Sequence, residues 1–524
     1  MNFLKNFFAK KYKINFYFFV ATLSFINLIL YHKPLLKYSL DTIYLDSFSS
    51  FMILATVVFA QLMANILFFT LLGILWAKML YFLSFVFCIS NAIAVYFISS
   101  YGVILTEDMM GNVFNTNPQE AFELFSPIIF VYILFLGILP CLFLLKIKIK
   151  KASFLKKIGF FFLGFVLVLI WGFANSHTWL WVDKNSKNIG GLSLPMAYII
   201  NSATFKAKSL PKAKQKLLPP LSFKDNQKQL VVLVIGEAAR ANNFSLYGYT
   251  KNTNPLLKQE QISVMPNTRS YGTYTTIGIS CILSHKEPSS FISYEPLTSY
   301  LKRFGADVLW RSNNWGEPKM NVSLFQRGSD IRKLCDKNCG KLEHDDVLFY
   351  KLKEQIRSFK SNKIFVVLHE WGSHGPNYNK RYPKYFEKFL PTCKSVELQK
   401  CSQEELVNAY DNTIFYNDFL LHKLIQDLKS FNFPVVMLYI SDHGESLGEG
   451  GFYLHGAPNT IAPKYQREIP FIVWMNDEFK KQKGLTNKSI IKQNTYSQEF
   501  IFHSILGAFE ANSSVYNPTK DIFK

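Results

Sequence analysis

Three side chains in the second half of the chain have the donor chemistry of a divalent-metal site. Glu237, Asp442 and His443 offer two hard carboxylate oxygens and one imidazole, a set that suits zinc or a similar ion with an open position for substrate. Taken singly each has a plainer role, since Glu237 can cap a helix near Ala238, Asp442 can serve a turn, and a lone histidine is often just a satisfied polar group. Ser270 to Gly278 adds hydroxyls, at Thr273, Thr275 and Thr276. A hydroxyl held against zinc ionises far more readily and becomes a nucleophile at neutral pH. A threonine-rich turn is the plainer alternative, and spacing does not choose among the three threonines.

Position gives these residues their weight. Apolar β-rich runs at 229–235, 306–310, 363–368, 434–440 and 469–474 alternate with polar segments of helical character, the pattern of an α/β domain with a largely parallel sheet. The first run ends in Gly236-Glu237, the third in His369 and then His374, and the fourth in Ser441-Asp442-His443-Gly444. Carboxyl ends of strands in open α/β sheets converge on the ligand crevice, so these ligands meet at one edge.

The first third has another character. Of the 50 Phe and 27 Tyr a large share crowd there. Five apolar stretches, 14–31, 51–76, 79–99, 125–145 and 158–174, are long enough or nearly so to cross a hydrocarbon core, which needs about 20 helical residues. A signal peptide is the alternative for the first, but no small-residue cleavage site follows it and four more spans do. Lys5, Lys10, Lys11 and Lys13 precede the first span, Lys78 separates the second from the third, and six lysines lie between the fourth and fifth. Residues 101–124 carry no Lys or Arg. The N-terminus is therefore expected in the cytoplasm, and everything after about residue 175 outside the inner membrane.

This divides the chain into a membrane domain (1–175), a connector (176–225) with a basic, proline-containing stretch, and a periplasmic catalytic domain (226–524). The net charge of +21 includes the topology lysines, and a translocated domain meets no chromosome, so anionic lipid headgroups replace nucleic acid as the expected electrostatic partner. Cys335 with Cys339 and Cys393 with Cys401 suit two short-loop disulfides in an oxidising periplasm, a structural zinc site being the rival. Cys88 and Cys141 fall inside spans, and Cys281 is left over.

Five ordered motifs carry a family resemblance: Val234-Ile235-Gly236-Glu237-Ala238-Ala239-Arg240, Gly272-Thr273-Tyr274-Thr275, Ser373-His374-Gly375-Pro376, Ser441-Asp442-His443-Gly444-Glu445-Ser446-Leu447-Gly448-Glu449 and Tyr453-Leu454-His455-Gly456. Together with the five spans they resemble lipid A phosphoethanolamine transferases, of the alkaline phosphatase and sulfatase superfamily. The resemblance implies a five-helix transmembrane bundle followed by a sulfatase-like α/β domain. It implies a Zn2+ cofactor held by Glu237, Thr275, Asp442 and His443, with Thr275 also the nucleophile. By the same resemblance His374 and His455 contact the phosphoryl group or a second metal. The implied reaction is phosphoethanolamine transfer from phosphatidylethanolamine to lipid A, lipopolysaccharide or another envelope acceptor, through a phosphoethanolamine-threonine intermediate, by a monomer in the bacterial inner membrane; polymyxin resistance is the associated property. One departure is visible: Tyr271 stands where the family often has the cysteine that would bridge Cys281, so that bridge is expected to be absent.

Asn112, Thr116 and Glu120 match positions that, in the family, help hold the donor headgroup. From the residues alone they lie four apart and form one polar stripe if helical. A capping reading competes: Asn117 as N-cap, Pro118 as first helical residue and Glu120 as capping-box partner. Pro118 also argues against one continuous helix. The rivals for the whole chain are a membrane-anchored sulfatase, which lacks its Cys/Ser-x-Pro-x-Arg context here, a phosphoglycerol transferase, and an inactive membrane-tethered binding protein.

Overall fold

The computed structural model describes residues 11–43, 47–116, 118–209, 215–287, 293–335 and 342–524. They form two compact units, residues 1–111 with 125–206, and residues 112–124 with 207–524.

The first unit is helical. Among the described residues four helices are long and apolar enough to cross a membrane: Phe48–Leu75, Lys78–Tyr101, Ile128–Leu145 and Phe154–Ala174. The stretch expected as the first span is a helix of only 16 residues, Phe16–Tyr31. It counts as a fifth crossing when joined to Lys33–Thr42, from which it is bent by 62°. Pro34, in the first turn of the second segment, has no N–H to continue the ladder, and His32 at the bend accepts from the Leu194 N–H at 3.1 Å. The stretch expected to be shortest is 21 residues long and leaves Phe162, Leu163, Phe165 and Val166 exposed. Outward apolar side chains on a helix that satisfies its own backbone are what a hydrocarbon solvent selects. Residues 176–209, expected as the start of a connector, are largely helical and include Met196–Ser209.

The second unit is built on seven strands: β1 (Gln229–Gly236), β2 (Ile262–Val264), β3 (Asp307–Ser312), β4 (Leu324–Arg327), β5 (Lys363–His369), β6 (Val435–Ser441) and β7 (Phe471–Met475). Their order in the sheet is β2-β7-β6-β1-β5-β3-β4. All eight residues of β1 and all seven of β5 and β6 are buried. Strands covered on both faces read as unbroken apolar runs, which is why these were visible in sequence. Helix Gln403–Leu428 packs on one face, and Thr275–Ile282 and Glu499–Ala508 pack on the other.

β6, β1, β5, β3 and β4 are parallel, whereas β7 runs antiparallel to β6 and to β2. Between β6 and β7 the chain makes only short turns and a two-stranded ribbon. With no crossover helix to carry it back to the sheet's starting edge, the next strand has to reverse. The consequence for function is that Glu237, Asp442 and His369 leave adjacent strands at the same edge.

Cys393 and Cys401 form the expected disulfide, and Cys88, Cys141 and Cys281 are free. Cys335 is disulfide-bonded, while its expected partner Cys339 lies outside the described residues.

Candidate active site

Glu237 and Asp442 follow paired residues, because Gly236 of β1 sits opposite Ser441 of β6. The register puts the two carboxylates side by side, and His443 comes with the second. All three are fully buried. Asp442 Oδ1 accepts from the backbone N–H of Ala238 at 3.1 Å and of His443 at 2.7 Å, so it is fixed before any ligand arrives. Its other oxygen, Oδ2, is buried and accepts no hydrogen bond among the described residues. Burial first, and then the Glu237 carboxylate, push Asp442 well above the usual range. A cation held by these carboxylates would reverse both effects.

The imidazole of His443 is prepared for the same partner. Its Nδ1 lies 2.8 Å from the Gly444 carbonyl, which can only accept, so Nδ1 carries the proton and Nε2 presents its lone pair. That Nε2 is 3.2 Å from Glu237 Oε1 and 3.4 Å from Asp442 Oδ2. Burial holds the ring below its ordinary pKa, in the neutral form that binds metals.

Thr275 opens the helix Thr275–Ile282, and its hydroxyl reaches into this cluster. It donates to Glu237 Oε2 at 3.2 Å and lies 3.5 Å from His443 Nε2. The hydroxyl of Thr273 instead donates to the Ala457 carbonyl at 2.7 Å. Thr275 is half-buried, so a substrate can meet it, and the positive end of the helix favours charge on its oxygen. The approach depends on Gly278, where a Cβ would come within 2.3 Å of the Asp442 carbonyl oxygen.

His374 and His455 complete a second group around Glu237. Ligand atoms of Glu237, Asp442 and His443 lie within 4.8 Å of one another, as do those of Glu237, His374 and His455. His374 reaches the cluster through a turn at Gly372, whose φ is +51° and whose Cβ would press on the Glu237 backbone; the Ser373 N–H donates to the Glu237 carbonyl at 2.9 Å. Its Nδ1 is 2.7 Å from the Gly375 carbonyl, leaving Nε2 free for a ligand, and burial keeps it well below the ordinary range. For His455 burial again opposes the charge, but the Glu445 carboxylate 3.3 Å away outweighs it and raises the ring to about 9. The ring centroids of His374 and His455 are 5.2 Å apart.

The comparisons with known proteins bear on this same arrangement. Residues 61–210 match the family model for phosphoethanolamine transferase EptA/EptB, and residues 229–511 match the sulfatase model. The chain is 40% identical to phosphoethanolamine transferase EptA of Helicobacter pylori over 95% of its own length and 94% of that protein's. The chain belongs to the phosphoethanolamine transferase family. The solved integral membrane lipooligosaccharide phosphoethanolamine transferase A of Neisseria meningitidis superposes with a TM-score of 0.88 at 26% identity, covering 96% of this chain and 97% of that one. The periplasmic domain of phosphoethanolamine transferase EptC from Campylobacter jejuni is 39% identical, with a TM-score of 0.53 over 59% of this chain and 98% of that domain. The membrane helices followed by a sulfatase-like domain, expected from the motifs, are thus the architecture of the family, a multi-pass membrane transferase.

Two residues of the cluster escaped the sequence reading. Asn314 donates to Glu237 Oε2 at 2.7 Å, and Glu445 holds His455. Asn314 lies two residues past the end of β3, at the same sheet edge as Glu237, so the strand-end rule extended beyond the second run points to this stretch. Outside the cluster, Asn112 lies in the helix Glu107–Asn115, and the Thr116 hydroxyl donates to the Asn112 carbonyl at 2.7 Å. A new helix, Pro118–Glu123, begins after the break that Pro118 imposes. Asn117 and the side chain of Glu120 lie outside the described residues, so the capping box is not visible.

Proposed function

We propose that the chain transfers phosphoethanolamine from phosphatidylethanolamine to lipid A or another envelope acceptor, with Thr275 as the covalent carrier. One observation carries the reading: the Thr275 hydroxyl stands at a helix N-terminus against a buried cluster in which an Asp442 oxygen has no hydrogen-bond partner among the described residues. Two carboxylates, a neutral imidazole and a hydroxyl fit zinc, and Glu237, Thr275, Asp442 and His443 would hold it. When bound, such an ion supplies Lewis acidity that makes the hydroxyl easier to ionise and offsets phosphoryl charge.

The residues of the chain then divide the work. Thr275 Oγ1 passes its proton to a base of the site and forms a bond to the donor phosphorus, while the bond from phosphorus to the diacylglycerol oxygen breaks and that oxygen takes a proton from His374 or His455. The phosphoethanolamine stays on Thr275. An oxygen of the acceptor next bonds to phosphorus, the bond to Thr275 breaks, and its hydroxyl regains a proton. His374 and His455 flank the phosphoryl group and hydrogen-bond to it. Asn112, Thr116 and Glu120 hold the ethanolamine, whose ammonium needs a carboxylate and a few acceptors, in a stretch with no competing Lys or Arg. The lysine pattern supports an inner-membrane chain with a cytoplasmic N-terminus and everything after about residue 175 on the periplasmic side. The proposal keeps a membrane domain to about 175, a connector to about 225 and a catalytic domain beyond, in a chain that acts as a monomer.

The test is reconstitution of the full chain with zinc, phosphatidylethanolamine labelled in its headgroup, and lipid A. The label should move to lipid A as diacylglycerol appears in equal amount. Label released only as free phosphoethanolamine would make the protein a hydrolase, and transfer from phosphatidylglycerol instead would make it a phosphoglycerol transferase.

A further inference from the structure

The loop that follows His374 is held firmly yet leaves two of its large apolar side chains outside. Phe386 is buried against the rings of Tyr416 and Phe419 at 4.8 and 4.9 Å. Asn412 accepts from the backbone N–H of Lys388 and Phe389 at 2.9 and 2.8 Å and donates to the Phe389 carbonyl at 3.0 Å. Asn408 donates to the Pro391 carbonyl at 3.0 Å, and the Cys393–Cys401 disulfide closes the far end. Despite these ties Tyr385 is 83% exposed and Leu390 62% exposed. Tyr385 packs on Phe386 at 4.8 Å, Phe386 and Phe389 both touch Phe415, and the Lys388 ammonium sits 4.4 Å over that ring, so the exposed Tyr385 rests on a packed aromatic base. A frayed loop exposes apolar groups by default; this one is pinned with them facing out.

The charge around that surface is mostly positive. Lys380, Lys384, Lys388 and Lys394 are all exposed, and the carboxylate among them, Glu387, accepts from the Thr392 hydroxyl at 2.5 Å. Lysine is depleted in the cores of protein interfaces, whereas tyrosine and leucine ringed by lysines are the composition of surfaces that enter a lipid headgroup layer. Membrane helices in the same chain keep a bilayer within reach.

We propose that the loop from Lys380 to Lys394 is a membrane-surface contact of the catalytic unit, where Tyr385 and Leu390 enter the headgroup layer of an anionic bilayer and the lysines pair with lipid phosphates. The loop is also wired to the site, because Arg381 Nε donates to the His374 carbonyl at 2.7 Å while its guanidinium stacks on Trp371. Seating the loop on lipid therefore bears on the position of His374.

The experiment uses the full chain in lipid nanodiscs, with Tyr385→Cys carrying an environment-sensitive NBD label and Lys481→Cys, on an exposed helix of the same unit, as control. Unsubstituted protein put through the labelling gives the background of the native thiols. In discs containing phosphatidylglycerol the label at 385 should shift to the blue and be quenched by spin-labelled lipid, and the label at 481 should do neither. High salt, or joint replacement of Lys384, Lys388 and Lys394 by Glu, should return the spectrum at 385 to its value in phosphatidylcholine discs. Melting curves matching the parent would show that the charge-reversed protein is folded. An unshifted label in phosphatidylglycerol discs would overturn the proposal, as would a shift that survives charge reversal.

Discussion

Glu237 and Asp442 stand at the ends of strands in which every side chain is buried, whereas Asn112 stands on, and Thr116 just past, a nine-residue helix that stops short of Pro118. The first pair is oriented by groups from several elements: two backbone N–H groups fix Asp442, and the side chains of Asn314 and Thr275 fix Glu237. Around Asn112 the bonds are local, made within its own turn of helix. Rigid strand ends suit chemistry that needs donors within a fraction of an ångström. A short broken helix suits recognition of a headgroup, where modest displacement is tolerated. The two regions should therefore answer substitution differently.

The largest effect is expected at the strand ends. Asp442→Asn keeps an acceptor for the Ala238 and His443 N–H groups and removes the charge, so the protein should fold, lose most of its metal and lose transfer by roughly two to three orders of magnitude. Elemental analysis alongside a melting curve checks this, and full zinc occupancy in the variant would count against the ligand assignment. Next comes Gly278→Ala, whose Cβ would lie 2.3 Å from the Asp442 carbonyl oxygen. Relieving that overlap should cost about 1–3 kcal/mol by denaturant titration, with transfer falling as well. Gly190→Ala, in the helical unit where nothing lies within 4 Å of the added atom, should be neutral or slightly stabilising.

In the broken-helix region the expected changes are smaller. Glu120→Gln still serves a capping box but has no charge for the ammonium, so transfer should fall about tenfold, seen as weaker donor binding, with no change in melting temperature. A normal rate there, with Glu120→Ala merely destabilising the fold, would make the residue a helix cap. Cys281→Ala should do least. Burial first, and then Glu499, push this thiol above its ordinary range, so it is unreactive at neutral pH, and transfer in the variant should stay within about twofold of the parent.

The same contrast explains what could be read in the sequence. Runs 229–235, 363–368 and 434–440 match β1, β5 and β6 to within a residue because a strand buried on both faces leaves no polar interruption. Edge strands β2 and β4, three and four residues long and partly exposed, carry no such signal. Glu237, Asp442 and His443 were legible from strand-end position. The preference for Thr275 over Thr273 was not legible from the residues alone, since it depends on which hydroxyl faces Glu237 and which faces Ala457. His455 was reached through its family motif, because it follows a short ribbon strand rather than a sheet strand and meets the cluster through Glu445 and the neighbouring imidazoles. The first membrane span was legible by composition but its bend was not: the helix stops after 16 residues and makes a fifth crossing only together with Lys33–Thr42.

The central claim is that Thr275 carries the phosphoethanolamine, and intact-mass spectrometry of the full chain after exposure to zinc and phosphatidylethanolamine, without acceptor, tests it most directly. A single phosphoethanolamine adduct should appear, peptide mapping should put it on Thr275, and lipid A should discharge it. Thr275→Ala should show no adduct while Thr273→Ala and Thr276→Ala still do. An adduct of the same mass that persists in Thr275→Ala would contradict the account.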